Sequence, residues 1–160
     1  MKRLTVALVL CAAAVWNIAA QQGDFEISGG VLAEYRGDAA EVRVPNGVTA
    51  IGERAFSYTG IRSVILPAGL TAIGEGAFSE CESLSSITLP AGLTAIGEYV
   101  FDDCYNLESI TLLSPKPPML EDDLGLADET VIYVPAAALS AYRTAEEWEY
   151  YTDRIQAVKE

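Results

Sequence analysis

The 160-residue sequence contains no histidine. Every constellation that needs an imidazole is thereby excluded, from Ser–His and Cys–His nucleophiles to histidine-bound metals. Cations are scarce: ten Lys and Arg stand against 23 Asp and Glu, a formal net charge of −13. Such a chain repels phosphate backbones and anionic lipid surfaces, so neither nucleic acid nor a charged membrane is an expected partner. The plain reading of the charge is solubility. Cysteine is sparse, at three residues: Cys11, Cys81 and Cys104. Two downstream sulfurs without histidine make a poor metal set. No cofactor is expected.

Long apolar runs are absent after the first 20 residues. Residues 1–20 read as a secretory signal peptide: Lys2 and Arg3, an apolar stretch over residues 4–16, and the small residues Ala19 and Ala20 before a cleavage point. The stretch is short for a bilayer span. The mature chain is expected to start at Gln21, with eight cations against 23 anions, a net −15. Cys11 fits a lipidation site poorly, because Leu10 occupies the place of a small residue. The expected location is secreted or cell-surface, with the periplasm as the other exported compartment.

What the sequence has is a repeat. Residues 48–56 read VTAIGERAF, residues 70–78 LTAIGEGAF and residues 93–101 LTAIGEYVF, at offsets of 22 and 23. Between them recur Ile61-x-x-Val64-x-Leu66-Pro67 and Leu84-x-x-Ile87-x-Leu89-Pro90, then Leu107-x-x-Ile110-x-Leu112 without the proline. Val42-x-Val44-Pro45 is the same unit in partial form. The missing residue falls in 57–60 against 79–83, a turn, where a deletion is tolerated.

One repeat reads as follows. Val64 and Leu66 alternate with Ser63 and Ile65, Ile87 and Leu89 with Ser86 and Thr88, and Ile110 and Leu112 with Ser109 and Thr111. That is the period of a half-buried strand. Proline ends the strand, and a type I turn is expected with proline second and glycine fourth. A short apolar piece returns along the other side, where Gly74 would allow a positive φ. No such unit buries its apolar face alone, but rungs stacked about 4.8 Å apart cover one another. A period near 23 lies in the leucine-rich-repeat range of about 20–29 residues. The predicted fold class is a mostly-β repeat of α/β type, a short leucine-rich-repeat solenoid. Its predicted segments are 21–47, an N-terminal cap and partial first repeat; 48–113, the repeats; and 114–160, a proline-rich connection and C-terminal cap.

These motifs resemble the BspA-like leucine-rich repeats of bacterial surface proteins, from Leu84-x-x-Ile87-x-Leu89-Pro90 through Phe101. Gly30-Val31-Leu32 with Tyr35-x-Gly37 is similar to that family's entry segment. Residues 131–135, with Tyr142 and Trp148, are similar to its terminal strand-plus-helix cap. The resemblance covers roughly residues 24–158. It implies an exported protein-binding solenoid that adheres to host or matrix proteins. The repeat specifies fold far better than function.

Several recurring side chains invite a chemical reading. Phe56, Phe78 and Phe101 recur at one position beside Ala55, Ala77 and Val100, and are expected as a core stack rather than a sugar-stacking ladder. Cys81 and Cys104 lie one period apart, within reach of a disulfide; parallel side chains give it poor dihedral geometry, so free buried thiols are the other reading. Glu53, Glu75 and Glu98 would stand about 5 Å apart, the separation of a retaining-glycosidase pair. Nothing sets one carboxyl apart from the next, and a solvated edge is expected. Residues 121–123 and 128–129 are acidic on an expected loop, without a calcium-loop spacing. Trp148, Tyr151 and Ile155 are expected to cover the last rung.

The candidate protein-binding residues are therefore those pointing outward from the strands: Arg43, Ser63, Ile65, Ser86, Thr88, Ser109 and Thr111. Small polar side chains leave such a face accessible, and solenoids bind through it. The predicted partner is a protein, from host, matrix or cell envelope. The alternative is a structural, self-associating envelope protein. No enzymatic activity is expected.

Overall fold

The computed structural model describes residues 22–159. The expected signal peptide and Cys11 lie outside the described residues. The chain runs back and forth between two walls of parallel strands, laying one short strand on the first wall and one longer strand on the second in each repeat. The first wall is opened by an antiparallel hairpin, β1 (Phe25–Ser28) and β2 (Val31–Tyr35). It continues through β4 (Ala50–Ile51), β6 (Ala72–Ile73), β8 (Ala95–Ile96) and β10 (Met119–Leu120), in the order β1-β2-β4-β6-β8-β10. The second wall holds β3 (Glu41–Arg43) paired with β5 (Ser63–Ile65), and separately β7 (Ser86–Leu89), β9 (Ser109–Leu112), β11 (Val131–Val134) and β12 (Ile155–Ala157).

The repeat sets the register. Ala50, Ala72 and Ala95 pair in line, as do Ile51, Ile73 and Ile96. On the second wall Ile87, Ile110, Ile132 and Ile155 form one buried row. Between the walls runs a column of rings. Phe56 and Phe78 stack at 5.1 Å, and Phe78 and Phe101 at 5.9 Å. Tyr35 and Phe25 extend the column into the N-terminal hairpin. The core stack expected at Phe56, Phe78 and Phe101 is thus present and two rings longer.

Two local expectations are corrected. The turn after each strand begins at proline itself: Val48, Leu70 and Leu93 N–H donate to the carbonyls of Pro45, Pro67 and Pro90 at 3.1–3.3 Å. Proline is therefore first and glycine third. Gly74 does not take a positive φ. A Cβ there would sit 2.8 Å from the Glu53 backbone nitrogen, and one at Gly97 would sit 2.5 Å from that of Glu75. The recurring glycine exists because adjacent rungs approach too closely for a side chain. The left-handed conformations fall instead on Arg54, Gly76 and Tyr99, and on Tyr58, Glu80 and Asp103.

The C-terminal end also differs. Residues 114–130 are expected from the sequence to interrupt the pattern, yet β10 continues the first wall, with Met119 opposite Ala95 and Leu120 opposite Ile96. Leu120 is buried and Met119 exposed, so two residues of alternation suffice. The short helix Leu139–Thr144 and the 3-10 segment Glu146–Arg154 follow β11. Ile155 does not merely cover the last rung; it opens β12, a further parallel strand. Buried Trp148 Nε1–H donates to the Pro118 carbonyl at 2.9 Å, and Tyr142 Oη–H to that of Ser114 at 3.0 Å. These bonds pin the cap to the proline-rich connection.

Candidate protein-binding surface

The alternation of each second-wall strand decides what faces solvent. Val42, Val64, Ile87 and Ile110 point into the core, so their neighbours point out. Arg43 lies opposite Ile65, and Ser63 opposite Glu41. Ser86 lies opposite Ser109, and Thr88 opposite Thr111. The structure therefore brings all seven candidates onto one wall. Their exposure differs. Arg43, Ser63, Ile65, Ser86 and Thr88 are exposed, whereas Ser109 and Thr111 are half-buried. The latter two have strands on both sides, with Val131 and Tyr133 of β11 as their further neighbours. Tyr133 adds an aromatic residue to the face.

The wall is not continuous. β5 and β7 belong to separate sheets. The break falls in the repeat whose preceding turn is one residue short. A groove of about 260 Å3 opens there, between Ser63 and Ile65 on one side and Ser86 and Thr88 on the other, with Pro90 and Leu113 at one end. Ile65 is 51% exposed and Leu113 46%. Leu113 was not among the sequence candidates. It occupies the place of Pro67 and Pro90 in the other repeats, and that substitution was the available signal. The groove thus combines two solvent-exposed apolar side chains with small hydroxyl residues. It suits shape recognition of a protein surface and offers no titratable group for catalysis.

The remaining candidates resolve structurally. Cys81 and Cys104 are buried free thiols. Cys81 Sγ–H donates to the Phe56 carbonyl at 3.1 Å, and Cys104 Sγ–H to that of Phe78 at 3.0 Å. Burial pushes both thiols up, Cys104 to about 12, so neither is a nucleophile at neutral pH. Thr59 is their counterpart in the preceding repeat, and its Oγ1 lies 3.4 Å from Cys81 Sγ. Glu53 is exposed, and Glu75 and Glu98 are half-buried. Among the described residues, no three His, Cys, Asp or Glu side chains gather as a metal would require. No helix of the described residues is long and apolar enough to cross a membrane. Asp123 in the acidic segment accepts a 2.5 Å bond from buried Tyr151.

Comparison with known proteins agrees with this architecture. Residues 34–117, just over half of the chain, match the family model described as BspA type leucine rich repeat region, in six copies. A leucine-rich repeat protein from Bacteroides capillosus is similar in structure, with a TM-score of 0.61 and 27% identity, over 70% of this chain and 93% of that one. A second, from Eubacterium ventriosum, has a TM-score of 0.56 and 21% identity, over 68% of this chain and 31% of that one, a likeness of fold. No curated protein matches the sequence. Repeats of this kind are protein-interaction scaffolds, and the chain belongs to the BspA-type leucine-rich repeat family.

Proposed function

We propose that this protein is an exported binding module, without enzymatic activity, that adheres to host or matrix proteins through the second-wall strand face. The observation that carries the reading is the groove at the β5–β7 break, where exposed Ile65 and Leu113 meet Ser63, Ser86 and Thr88. Apolar side chains held on a strand scaffold serve as anchors with little ordering cost on binding. Export rests on the basic and apolar composition of residues 1–20. The test is binding of the chain lacking residues 1–20 to a panel of matrix and envelope proteins, beside a Ser86→Arg, Thr88→Arg double variant. Saturable binding lost in the variant is the expected result. Binding that survives both arginines moves the site elsewhere.

A structural, self-associating role is favoured by one feature: β12 ends the second wall as an edge strand, and edges invite pairing. Its signature would be a molar mass that rises with concentration in light scattering, without any foreign ligand.

A further inference from the structure

The turns that carry the chain from the first wall to the second put two tyrosines into solvent. Tyr58 is 72% exposed and Tyr105 69%. One exposed ring needs no explanation, but these two share their surroundings. Glu80 and Asp103 act electrostatically on both phenols. Tyr105 Oη–H donates to Asp103 Oδ1 at 2.7 Å, and Glu80 raises the Tyr58 phenol. With its hydroxyl committed to a carboxylate, the Tyr105 ring offers a partner its face.

Tyr105 also stands between two hollows of about 250 Å3 each. One is lined by Asp102, Asp103 and Leu126, the other by Glu108, Glu129 and Thr130. No lysine or arginine lines either one. Partial burial raises the Asp102 carboxyl, and Asp103, Glu80 and Asp123 raise it further, which marks a concentration of negative potential. The nearby cations are Arg54, which acts on Tyr58, and Arg154, which donates to the Ala127 carbonyl at 2.6 Å.

The third strongly exposed tyrosine supplies the contrast. At Tyr150 the chain provides its own cation: Arg154 stands 5.6 Å from the ring centroid. Among the described residues no such cation stands over Tyr58 or Tyr105. Carboxylates alone would make only a solvated edge. Exposed rings with hollows on both sides of one of them make a receptor for organic cations.

We infer that this turn surface, centred on Tyr105, is a second docking site, and that it takes an extended basic segment of a partner protein whose arginine or lysine side chains enter the two hollows. Side chains two apart on an extended chain lie about 6.6 Å from one another on one face, which lets them straddle a ring. A guanidinium then stacks on Tyr105 and reaches a carboxylate with paired N–H donors. The site is separate from the strand face and stands whether or not that face binds.

The test titrates the protein with an octapeptide carrying Arg-Gly-Arg and with its citrulline counterpart, which keeps the shape and loses the charge. The arginine peptide is expected to bind saturably and the citrulline peptide not to bind. Tyr105→Ala is expected to weaken binding about fivefold or more, and Tyr105→Phe to retain it, because the ring is the anchor. Asp103→Asn is expected to weaken it, at a position whose φ of 55° suits asparagine. Asp38→Asn, the same charge change on the N-terminal cap, is expected to leave it unchanged. Equal affinity for Tyr105→Ala and the parent overturns the proposal. So does equal weakening by Asp38→Asn and Asp103→Asn, which would mean diffuse attraction to an acidic molecule. Thermal melts of each variant exclude a folding defect.

Discussion

At the scale of single residues, the two cysteines show how position decides chemistry. Each thiol is buried and donates to the phenylalanine carbonyl of the preceding rung, so it is held neutral. Burial raises both above the ordinary thiol value of 9.0, Cys104 to about 12. The unfolded thiol ionises near pH 9 and the folded one does not. Their contribution to stability is therefore fully present below about pH 9 and is lost as pH rises towards 12. Buried Tyr142, raised from 10.0 to about 12, adds a second loss that starts one unit higher. Thermal stability is expected to fall from about pH 9. In a Cys81→Thr, Cys104→Thr variant, which copies the side chain present at Thr59, the fall should begin only near pH 10. A variant profile that matches the parent would contradict this assignment. The spacing of the cysteines in the sequence left disulfide and free thiol both open. It could not reveal that the carbonyls of Phe56 and Phe78 stand within reach of the sulfurs.

At the scale of elements, the strands were legible and their neighbours less so. Alternation in Ser86, Ile87, Thr88 and Leu89 fixes which side chains face the core, and those four residues form β7. β10 was missed because two residues, Met119 and Leu120, carry too little alternation to stand out from a proline-rich stretch. β12 was missed because Ile155 reads equally well as a residue covering the last rung. The repeated glycine was recognised, but for the wrong reason. Its cause is the backbone of the preceding rung, which no single repeat contains. Gly97→Ala would push a Cβ to 2.5 Å from the Glu75 nitrogen, whereas Gly69→Ala meets nothing within 4 Å. The first substitution is expected to cost about 2–3 kcal/mol and the second to be near neutral, by denaturant unfolding. Equal stabilities would refute the close-approach explanation. The β5–β7 break belongs to this scale too. The sequence shows a one-residue deletion in the turn over residues 57–60 but not that the wall parts beside it.

At the scale of the whole molecule, charge and shape separate. The net charge of −13 is read from the sequence without any structure, and its consequence is self-repulsion. Arg36 offsets it locally by bridging Glu26 and Glu34 on the N-terminal hairpin. Raising NaCl from about 0.02 to 0.5 M is therefore expected to raise the melting temperature by a few degrees, through screening. A fall would show that attractive pairs outweigh the repulsion. The solenoid itself is legible because each rung repeats the same burial problem, so one unit explains the stack. The candidate face was legible as seven outward residues, all of which lie on the second wall. Leu113 and Tyr133 were not, because the groove and the neighbouring strand that give them meaning exist only once the rungs are stacked.

In the proposed function the second-wall face binds the partner, and the groove at its break supplies the anchor. The most direct test is the affinity of an Ile65→Ala, Leu113→Ala double variant for a protein partner that the parent binds. Both side chains are about half exposed, so truncation leaves the core intact. The predicted result is a loss of about tenfold or more in affinity with little change in melting temperature. An affinity equal to that of the parent would contradict it.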